Sequence, residues 1–175
     1  MIFRNSNQED NDAISKLHAE SFGNEEGPVM ERLVLEILNF KSNVLIYSFV
    51  IENNEGILGH IIFSPLTIEG CEKMKAYILA PLAISPAHQK KGLGTKLISH
   101  GMRKLKAQGV DVVFVFGDPN YYGRSGFKTE KNIMTPFKIT YPPEAWMTRE
   151  LTSGALSNTS GIAKCISPLM LKEYW

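Results

Sequence analysis

Residues 79–102 read LAPLAISPAHQKKGLGTKLISHGM, and this stretch decides the fold. Its first part belongs to the apolar segment Met74–Ser85, which has the pattern of a strand buried on both faces, although Pro81 should interrupt its hydrogen-bond ladder locally. Pro86 ends the strand, and Thr95–Ala107 then has the apolar spacing of an amphipathic helix. The stretch therefore predicts a strand, a glycine-rich turn and a helix in direct succession.

The turn Gln89-Lys90-Lys91-Gly92-Leu93-Gly94 has the properties of an anion site. The N-terminus of the following helix carries unpaired backbone N–H groups and the positive end of the helix dipole. Two glycines let the backbone approach a bulky ligand without Cβ clashes, and the two lysines add positive charge at the rim. Such a turn favours phosphate oxygens as its ligand.

Three phosphate-binding patterns compete for this turn. The P-loop pattern G-x-x-x-x-G-K-[ST] is absent, because Gly94 is not followed directly by a lysine. The dinucleotide pattern G-x-G-x-x-G fits Gly92 and Gly94, but its third position is Leu97. The pattern [QR]-x-x-G-x-[GA] is satisfied fully by Gln89, Gly92 and Gly94. A simpler interpretation, that the glycines only cap a helix, accounts neither for Gln89 nor for the buried strand before the turn.

A second stretch, VDVVFVFGDPNYYGRSGF at residues 110–127, begins with another buried strand and continues through Gly-Asp-Pro. The two stretches resemble the coenzyme A-binding motif and the second motif of the GNAT superfamily of N-acetyltransferases, in which a Tyr precedes Gly-Phe by four residues. Tyr122 stands in that place before Gly126-Phe127. The string GDPNYYGRSGF, with YPPEAWMTREL downstream, resembles a bacterial subfamily with the motif GDPxYYxRxGF, which usually has a Phe where Ser125 stands. The likeness covers most of the chain.

The resemblance implies an α/β (α+β) fold: a single N-acetyltransferase domain over residues 1–175, with a mixed, mostly antiparallel twisted sheet that is splayed at the cofactor site and flanked by helices. It implies acetyl-CoA (coenzyme A) as the cofactor, with the pyrophosphate on backbone amides of the turn and the pantetheine arm on backbone groups of the strand. Tyr122 would be the general acid for the departing sulfur, and no metal is implied. The implied cofactor-binding residues are Leu82, Ala83, Ile84, Gln89, Lys90, Lys91, Gly92, Leu93, Gly94, Thr95 and Tyr122.

The general base stays open among Asp118, His60, His88 and a water relay. An aspartate before a proline serves equally well as a turn residue, which weakens the case for Asp118. His60 lies within a predicted strand and His88 beside the turn, and both are settings in which a lone histidine is more often structural or exposed. The acceptor side is expected from the N-terminal helices, the loop Gly23–Pro28 and the segment after Pro136.

The rest of the chain supplies the remaining elements of one α/β domain. The turn at residues 53–56 joins two strands into an antiparallel hairpin, and Gly23 and Gly27-Pro28 break the chain between two helices. The segment Asn120–Phe127 predicts a short helical turn and then the start of a strand. Further strands are predicted at Met1–Arg4, Asn43–Glu52, Ile57–Ile68, Val110–Phe116, Phe137–Tyr141 and Ile162–Ile166, and helices at Gln8–Phe22 and Val29–Phe40.

Composition limits the partners of this 175-residue chain. A formal net charge of +1 gives no general affinity for nucleic acid or for an anionic membrane. Cys71 and Cys165 stand outside any C-x-x-C spacing, which fits a reducing cytosol without a zinc or disulfide framework. No apolar stretch approaches the roughly 20 residues of a membrane span, and the N-terminus is not that of a signal peptide. We therefore expect a cytoplasmic protein, monomer or homodimer, with a small-molecule or peptide amine as its partner.

Two functions of different classes follow from these residues. The first is an N-acetyltransferase that moves the acetyl group from acetyl-CoA to a primary amine by direct attack. The alternative is a non-catalytic coenzyme A or acyl-CoA sensor, which would keep the turn at Gln89–Gly94 but could dispense with Tyr122. The acceptor, the acyl-chain length and the oligomeric state are open.

Overall fold

Three strands from the first part of the chain pair as antiparallel neighbours. The computed structural model describes residues 1–41, 43, 45–139 and 141–175. In it, β1 (Ile2–Asn5) pairs with β2 (Tyr47–Asn53), and β2 pairs with β3 (Gly56–Ile68) across a two-residue turn. The predicted hairpin is confirmed. The second strand begins later than predicted, and Val44 lies outside the described residues.

The helix α1 (Asn11–Leu38) consists of two helical segments that meet at a kink, in agreement with the two predicted helices. Its single non-helical residue is Gly23, where φ is 75° and ψ is −171°, so the predicted break at Gly23 is a kink. The predicted break at Gly27-Pro28 is wrong, because the helix continues through both residues. Pro28 stands only five residues after the kink, so it removes one hydrogen bond near the start of the second helical segment. The expected loop Gly23–Pro28 is therefore helical beyond its first residue.

The decisive stretch forms the predicted strand and helix. β4 (Ala76–Ile84) leads through a 3₁₀ turn at Pro86–His88 into α2 (Leu93–Ala107), and β5 (Val112–Phe116) follows. β4 and β5 are parallel, with Ala76–Leu79 opposite Val112–Val115. Their pairing ends two residues before Pro81, which cannot donate a ladder hydrogen bond. Residues 80–84 of β4 therefore extend beyond its pairing with β5.

The C-terminal part departs further from the prediction. The short helix α3 (Pro119–Tyr122) precedes β6 (Lys128–Thr129), and β7 (Ile133–Met134) and β8 (Trp146–Glu150) follow. β9 (Gly161–Cys165) confirms the predicted strand near Ile162. The strand predicted at Phe137–Tyr141 is wrong for its described residues; Thr140 lies outside them. There the Thr135 hydroxyl donates to the Phe137 carbonyl at 2.7 Å, a local bond that competes with strand pairing.

The strands form a mixed, mostly antiparallel open sheet flanked by helices, as predicted. The chain divides into two compact units, Met1–Phe63 with Pro81–Gly101 and Ser64–Ala80 with Met102–Trp175. The first unit contains β1, β2, α1 and the turn before α2, with a core around Ile14, Leu33, Phe49 and Ile61. The second contains β5 to β9, with β8 between β5 and β6. Among the described residues, no helix is long and apolar enough to cross a membrane.

Candidate functional site

The turn between β4 and α2 is shaped by two residues with left-handed backbone conformations. Lys90 has φ 58° and Gly92 has φ 76°, whereas Lys91 between them does not lie in that region. Successive residues of alternating hand turn their N–H groups toward one side, which forms a concave anion-binding nest. Lys90 is strained there, because L residues with side chains rarely adopt this conformation.

In the described part of the chain, the backbone N–H groups of Lys90–Thr95 have no protein acceptor. Within the described residues, none of these six groups donates to a carbonyl or a side chain, and the first bond of the helix runs from the Lys96 N–H to the Gly92 carbonyl at 3.1 Å. Gln89 through Gly92 are exposed, whereas Leu93 and Gly94 are buried. Free donors at the positive end of a 15-residue helix are the arrangement that an anion site requires.

Close packing fixes the direction of α2. Gly101 lies so near the Phe63 ring that a Cβ atom there would overlap it, and Leu97 is fully buried. This contact packs the middle of α2 directly against β3.

Gln89 closes the turn back onto the strand. Its side-chain amide donates to the Ile84 carbonyl at 3.1 Å and to the Ser21 hydroxyl at 3.4 Å, and the Ser21 hydroxyl donates to the same carbonyl at 3.1 Å. The sequence prediction places Gln89 among the cofactor-binding residues; its observed contacts give it a positioning role. Ser21, which lies 68 residues before Gln89, has no signal in the sequence that would reveal this contact.

The two lysines of the turn differ in their contacts. The Lys91 ammonium donates to the Ala87 carbonyl at 2.9 Å, which keeps its charge beside the turn. The Lys90 side chain is exposed, and the Lys90 backbone has a positive φ. Both charges favour an anion at the nest.

Tyr122 belongs to the second unit, on α3. Its ring lies against Gly117, where a Cβ atom would come 2.5 Å from the Tyr122 Cε2, and it packs edge-on to Tyr121 and Phe127. Burial, followed by Tyr121 and Asp118, raises the pKa of the Tyr122 phenol, so the hydroxyl keeps its proton at neutral pH. In this state the hydroxyl has a proton available to donate.

The three candidate bases have different surroundings. Asp118 caps α3, because its Oδ1 accepts a hydrogen bond from the Asn120 N–H at 2.9 Å. His88 is half-buried, with Nδ1 at 3.5 Å from the Ser85 hydroxyl. His60 is fully buried and hydrogen-bonded to His18, a histidine that the sequence prediction missed. The described contacts thus give Asp118 the structural role that its sequence context allowed.

Two comparisons with known proteins indicate the same family. The family model for the acetyltransferase (GNAT) domain matches residues 3–129 of this chain. The chain is 36% identical over 116 residues to the uncharacterized N-acetyltransferase YjhQ of Escherichia coli, an alignment that covers 63% of this chain and 64% of that protein. This chain therefore spans less than two thirds of the length of that relative.

Solved structures show the same fold. The GNAT family N-acetyltransferase YhbS of Escherichia coli, in complex with CoA, superposes with a TM-score of 0.86 at 23% identity, over 98% of this chain and 92% of that one. A GNAT family acetyltransferase from Brucella melitensis, in complex with acetyl-CoA, superposes with a TM-score of 0.70 at 26% identity, over 96% of this chain and 97% of that one.

Proposed function

Because the chain belongs to the GNAT acetyltransferase domain family, we propose that it transfers an acetyl group from acetyl-CoA to a primary amine. The observation that carries the proposal is the row of free N–H groups from Lys90 to Thr95 at the start of α2. A pyrophosphate supplies oxygens for several such donors at once, whereas a single carboxylate does not. The acetyl-CoA and CoA complexes of the two solved relatives support the same ligand.

The bound cofactor would supply a thioester whose carbonyl carbon accepts the amine. In the proposal, the nest at Lys90–Thr95 holds the pyrophosphate, and the backbone of Leu82–Ile84 holds the pantetheine arm. Donors fixed before the reaction stabilise the developing oxyanion without reorganising. The Ile84 carbonyl is already occupied by Gln89 and Ser21, so the backbone of this strand end is held in place by side chains.

Tyr122 is the proposed general acid. Direct attack forms a C–N bond and breaks the C–S bond, and the departing thiolate then takes the phenolic proton of Tyr122. The tyrosinate is reprotonated from the nitrogen of the new amide. The Tyr122 phenol enters the reaction protonated, and its raised pKa makes it a weaker acid than an ordinary phenol.

Thiol release from acetyl-CoA across a panel of primary amines tests the proposal. The panel should include small polyamines, amino sugars, free amino acids and short peptides, because the acceptor is assigned only as an amine. Turnover with any of them supports the transferase. Calorimetric titration with CoA and with NAD supplies the binding control: tighter binding of NAD would contradict the CoA site.

The non-catalytic sensor is the second outcome of the same assay. A sensor would bind CoA at the nest without thiol release with any amine. Tyr122 favours the transferase, since a sensor needs no proton donor.

A further inference from the structure

Arg149 donates a hydrogen bond to the turn that follows Tyr122, and no step of the proposed reaction uses this contact. Arg149 Nη1 donates to the backbone carbonyl of Ser125 at 2.7 Å. All three residues belong to the second compact unit. Arg149 also belongs to the string YPPEAWMTREL, to which the proposed reaction gives no role.

The backbone of Arg149 is held by strands on both sides of β8. β8 pairs with β5 along its whole length and with β6 at Lys128–Thr129. Arg149 stands directly opposite Val113, which is fully buried. Core strands open least readily in a folded protein, so the Arg149 side chain extends from a rigid part of the sheet.

Arg149 and Tyr122 lie on the same face of this sheet. Residues directly opposite each other in paired strands have their side chains on one face, so Arg149 shares the face of Val113. The Gly117 N–H donates to the Ala145 carbonyl at 2.9 Å, so the ladder continues past the end of β5. Because side chains alternate along a strand, Gly117 faces the same way as Val113, and the Tyr122 ring lies against Gly117.

The turn after Tyr122 links the Ser125 carbonyl to the tyrosine ring. It is a 3₁₀ turn in which the Gly126 N–H donates to the Gly123 carbonyl at 3.0 Å. The Phe127 N–H donates to the Tyr122 carbonyl at 3.4 Å, and the two rings pack edge-on with centroids 5.9 Å apart. A displacement of this turn therefore displaces Tyr122 as well.

The Arg149 side chain covers the middle of this turn. A Cβ atom at Gly126 would lie 3.5 Å from Arg149 Nε and 3.7 Å from Arg149 Cζ, so the guanidinium lies along Gly126. Ser125 is buried, and no backbone N–H of the described residues donates to its carbonyl. A carbonyl without a partner at a buried residue is costly, and Arg149 supplies the partner that the end of a helical turn lacks.

The effect of Arg149 on Tyr122 is one of position, not of charge. Burial, followed by Tyr121 and Asp118, raises the pKa of the Tyr122 phenol, and Arg149 does not contribute to this shift. Within the described ranges, Arg149 forms no salt bridge, so the Ser125 carbonyl is the partner that directs its guanidinium.

We propose that Arg149 is a positioning residue that holds the Ser125 carbonyl and thereby fixes the direction of the Tyr122 hydroxyl during acetyl transfer. The inference rests on the proposed function, in which Tyr122 delivers a proton to the departing thiolate. Arg149 itself exchanges no proton. A general acid acts only within hydrogen-bond reach of the atom that it protonates, so a small displacement of the Tyr122 ring slows this step.

Arg149→Met is the central test, because it keeps a long side chain over Gly126 and removes the donor. We expect kcat to fall roughly 10- to 100-fold, since a misplacement of about 1 Å can cost about 10²-fold, with the KM for acetyl-CoA unchanged. Arg149→Lys should restore kcat, because a single donor to a neutral carbonyl does not need the planar fork of arginine. The matched control is Thr148→Val, which removes a hydroxyl that donates to Glu130 at 3.3 Å and should leave kcat unchanged.

A double-mutant cycle separates the positioning of Tyr122 from a general loss of order. If Arg149 acts through Tyr122, Arg149→Met should not lower the kcat of Tyr122→Phe any further, because the hydroxyl that Arg149 directs is already absent. Effects that multiply would overturn the inference, and so would a kcat of Arg149→Met equal to that of Thr148→Val. In both cases wild-type turnover leaves the proposed function standing.

Fluorine-19 NMR of the protein labelled with 3-fluorotyrosine gives a readout that needs no turnover. Tyr122→Phe identifies the Tyr122 resonance by its loss. Arg149→Met should shift or broaden this resonance, whereas Arg149→Lys and Thr148→Val should leave it in place. An unchanged Tyr122 resonance in Arg149→Met overturns the inference.

Two further outcomes have a defined meaning. If Arg149→Met does not fold, Arg149→Gln, whose shorter side chain also removes the guanidinium, takes its place in each comparison with the same expected results. A wild-type protein that binds CoA but acetylates no amine in the panel would overturn the proposed function and the inference together.

Discussion

The side-chain amide of Gln89 donates a hydrogen bond of 3.1 Å to the backbone carbonyl of Ile84, five residues earlier in the chain. The same amide lies 3.4 Å from the Ser21 hydroxyl, which donates to that carbonyl as well. The strand end, the turn and the helix α1 therefore meet at one carbonyl oxygen. This contact makes the geometry of the anion nest dependent on a side chain outside it.

Gln89→Ala should weaken CoA binding by roughly three- to ten-fold, because a net hydrogen bond contributes about 0.5–1.5 kcal/mol and the turn would lose its tie to the strand. Calorimetric titration with CoA measures the change. Gln108→Ala, which removes an exposed glutamine at the end of α2, is the matched control and should bind as the wild type does. If Gln89→Ala binds CoA with the same affinity as Gln108→Ala, the positioning role of Gln89 is contradicted.

Gly92→Ala should weaken CoA binding at least 10-fold. No atom lies within 4 Å of the added Cβ, so the effect comes from the φ of 76°, which an alanine resists, and the N–H groups of the nest would reorient. Gly70→Ala is the matched control, since Gly70 has φ 83° and equally open space in a different turn. Both variants should lose similar stability, but only Gly92→Ala should lose affinity. A parallel loss of affinity in both would show that backbone strain alone explains the result.

Tyr122→Phe should lower kcat by 10-fold or more at saturating acetyl-CoA, since a positioned general acid contributes roughly 10²–10⁴-fold. The substitution keeps the ring that packs on Gly117 and Phe127, so the fold should persist. Steady-state thiol release measures the change, with Tyr121→Phe as the control, because Tyr121 packs edge-on against Tyr122 and has no proposed chemical role. An unchanged kcat in Tyr122→Phe would remove it from the proposed mechanism.

Lowering the pH from 7 to 5 should lower the free energy of unfolding by about 2 kcal/mol through His18, starting from an unfolded pKa of about 6.5, and should lower it further through His60. The folded pKa of His18 is lowered to about 3 and that of His60 is lowered well below its ordinary value. The unfolded chain therefore binds more protons, and stability present above about pH 6.5 is lost as the pH falls.

Urea unfolding at several pH values measures this dependence. Asp10 and Glu52 also have lowered pKa values, but from ordinary values of 3.8 and 4.5, so they act mainly below pH 5. Because Gln does not titrate, His18→Gln should show a smaller pH dependence of stability between pH 7 and pH 5 than the wild type. A wild-type stability that does not change over this interval would contradict neutral, buried histidines.

Several elements were predictable because their signals are local. β4, the turn and α2 follow one another within about 30 residues, and their apolar spacing, Pro86 and the two glycines fixed the order. The β2–β3 hairpin was also predictable from the sequence, because its two-residue turn is a local signal. By contrast, β8 has no clear alternation of its own; it is a strand because Trp146–Glu150 pairs with Val112–Phe116. Pairing over that separation leaves little mark in the local sequence.

By itself the sequence determined the family, the sheet type and the strand-turn-helix around Gln89–Gly94, because each depends on residues close together in the chain. It also determined that Tyr122 stands where the family places a tyrosine, whose role as acid stays a proposal. Only the tertiary structure brought His18 to His60 and Ser21 to Gln89, pairs separated by 42 and 68 residues. A hydrogen bond between distant residues depends on how helix and strand pack, and packing is set by the whole core, not by the residues that the bond joins.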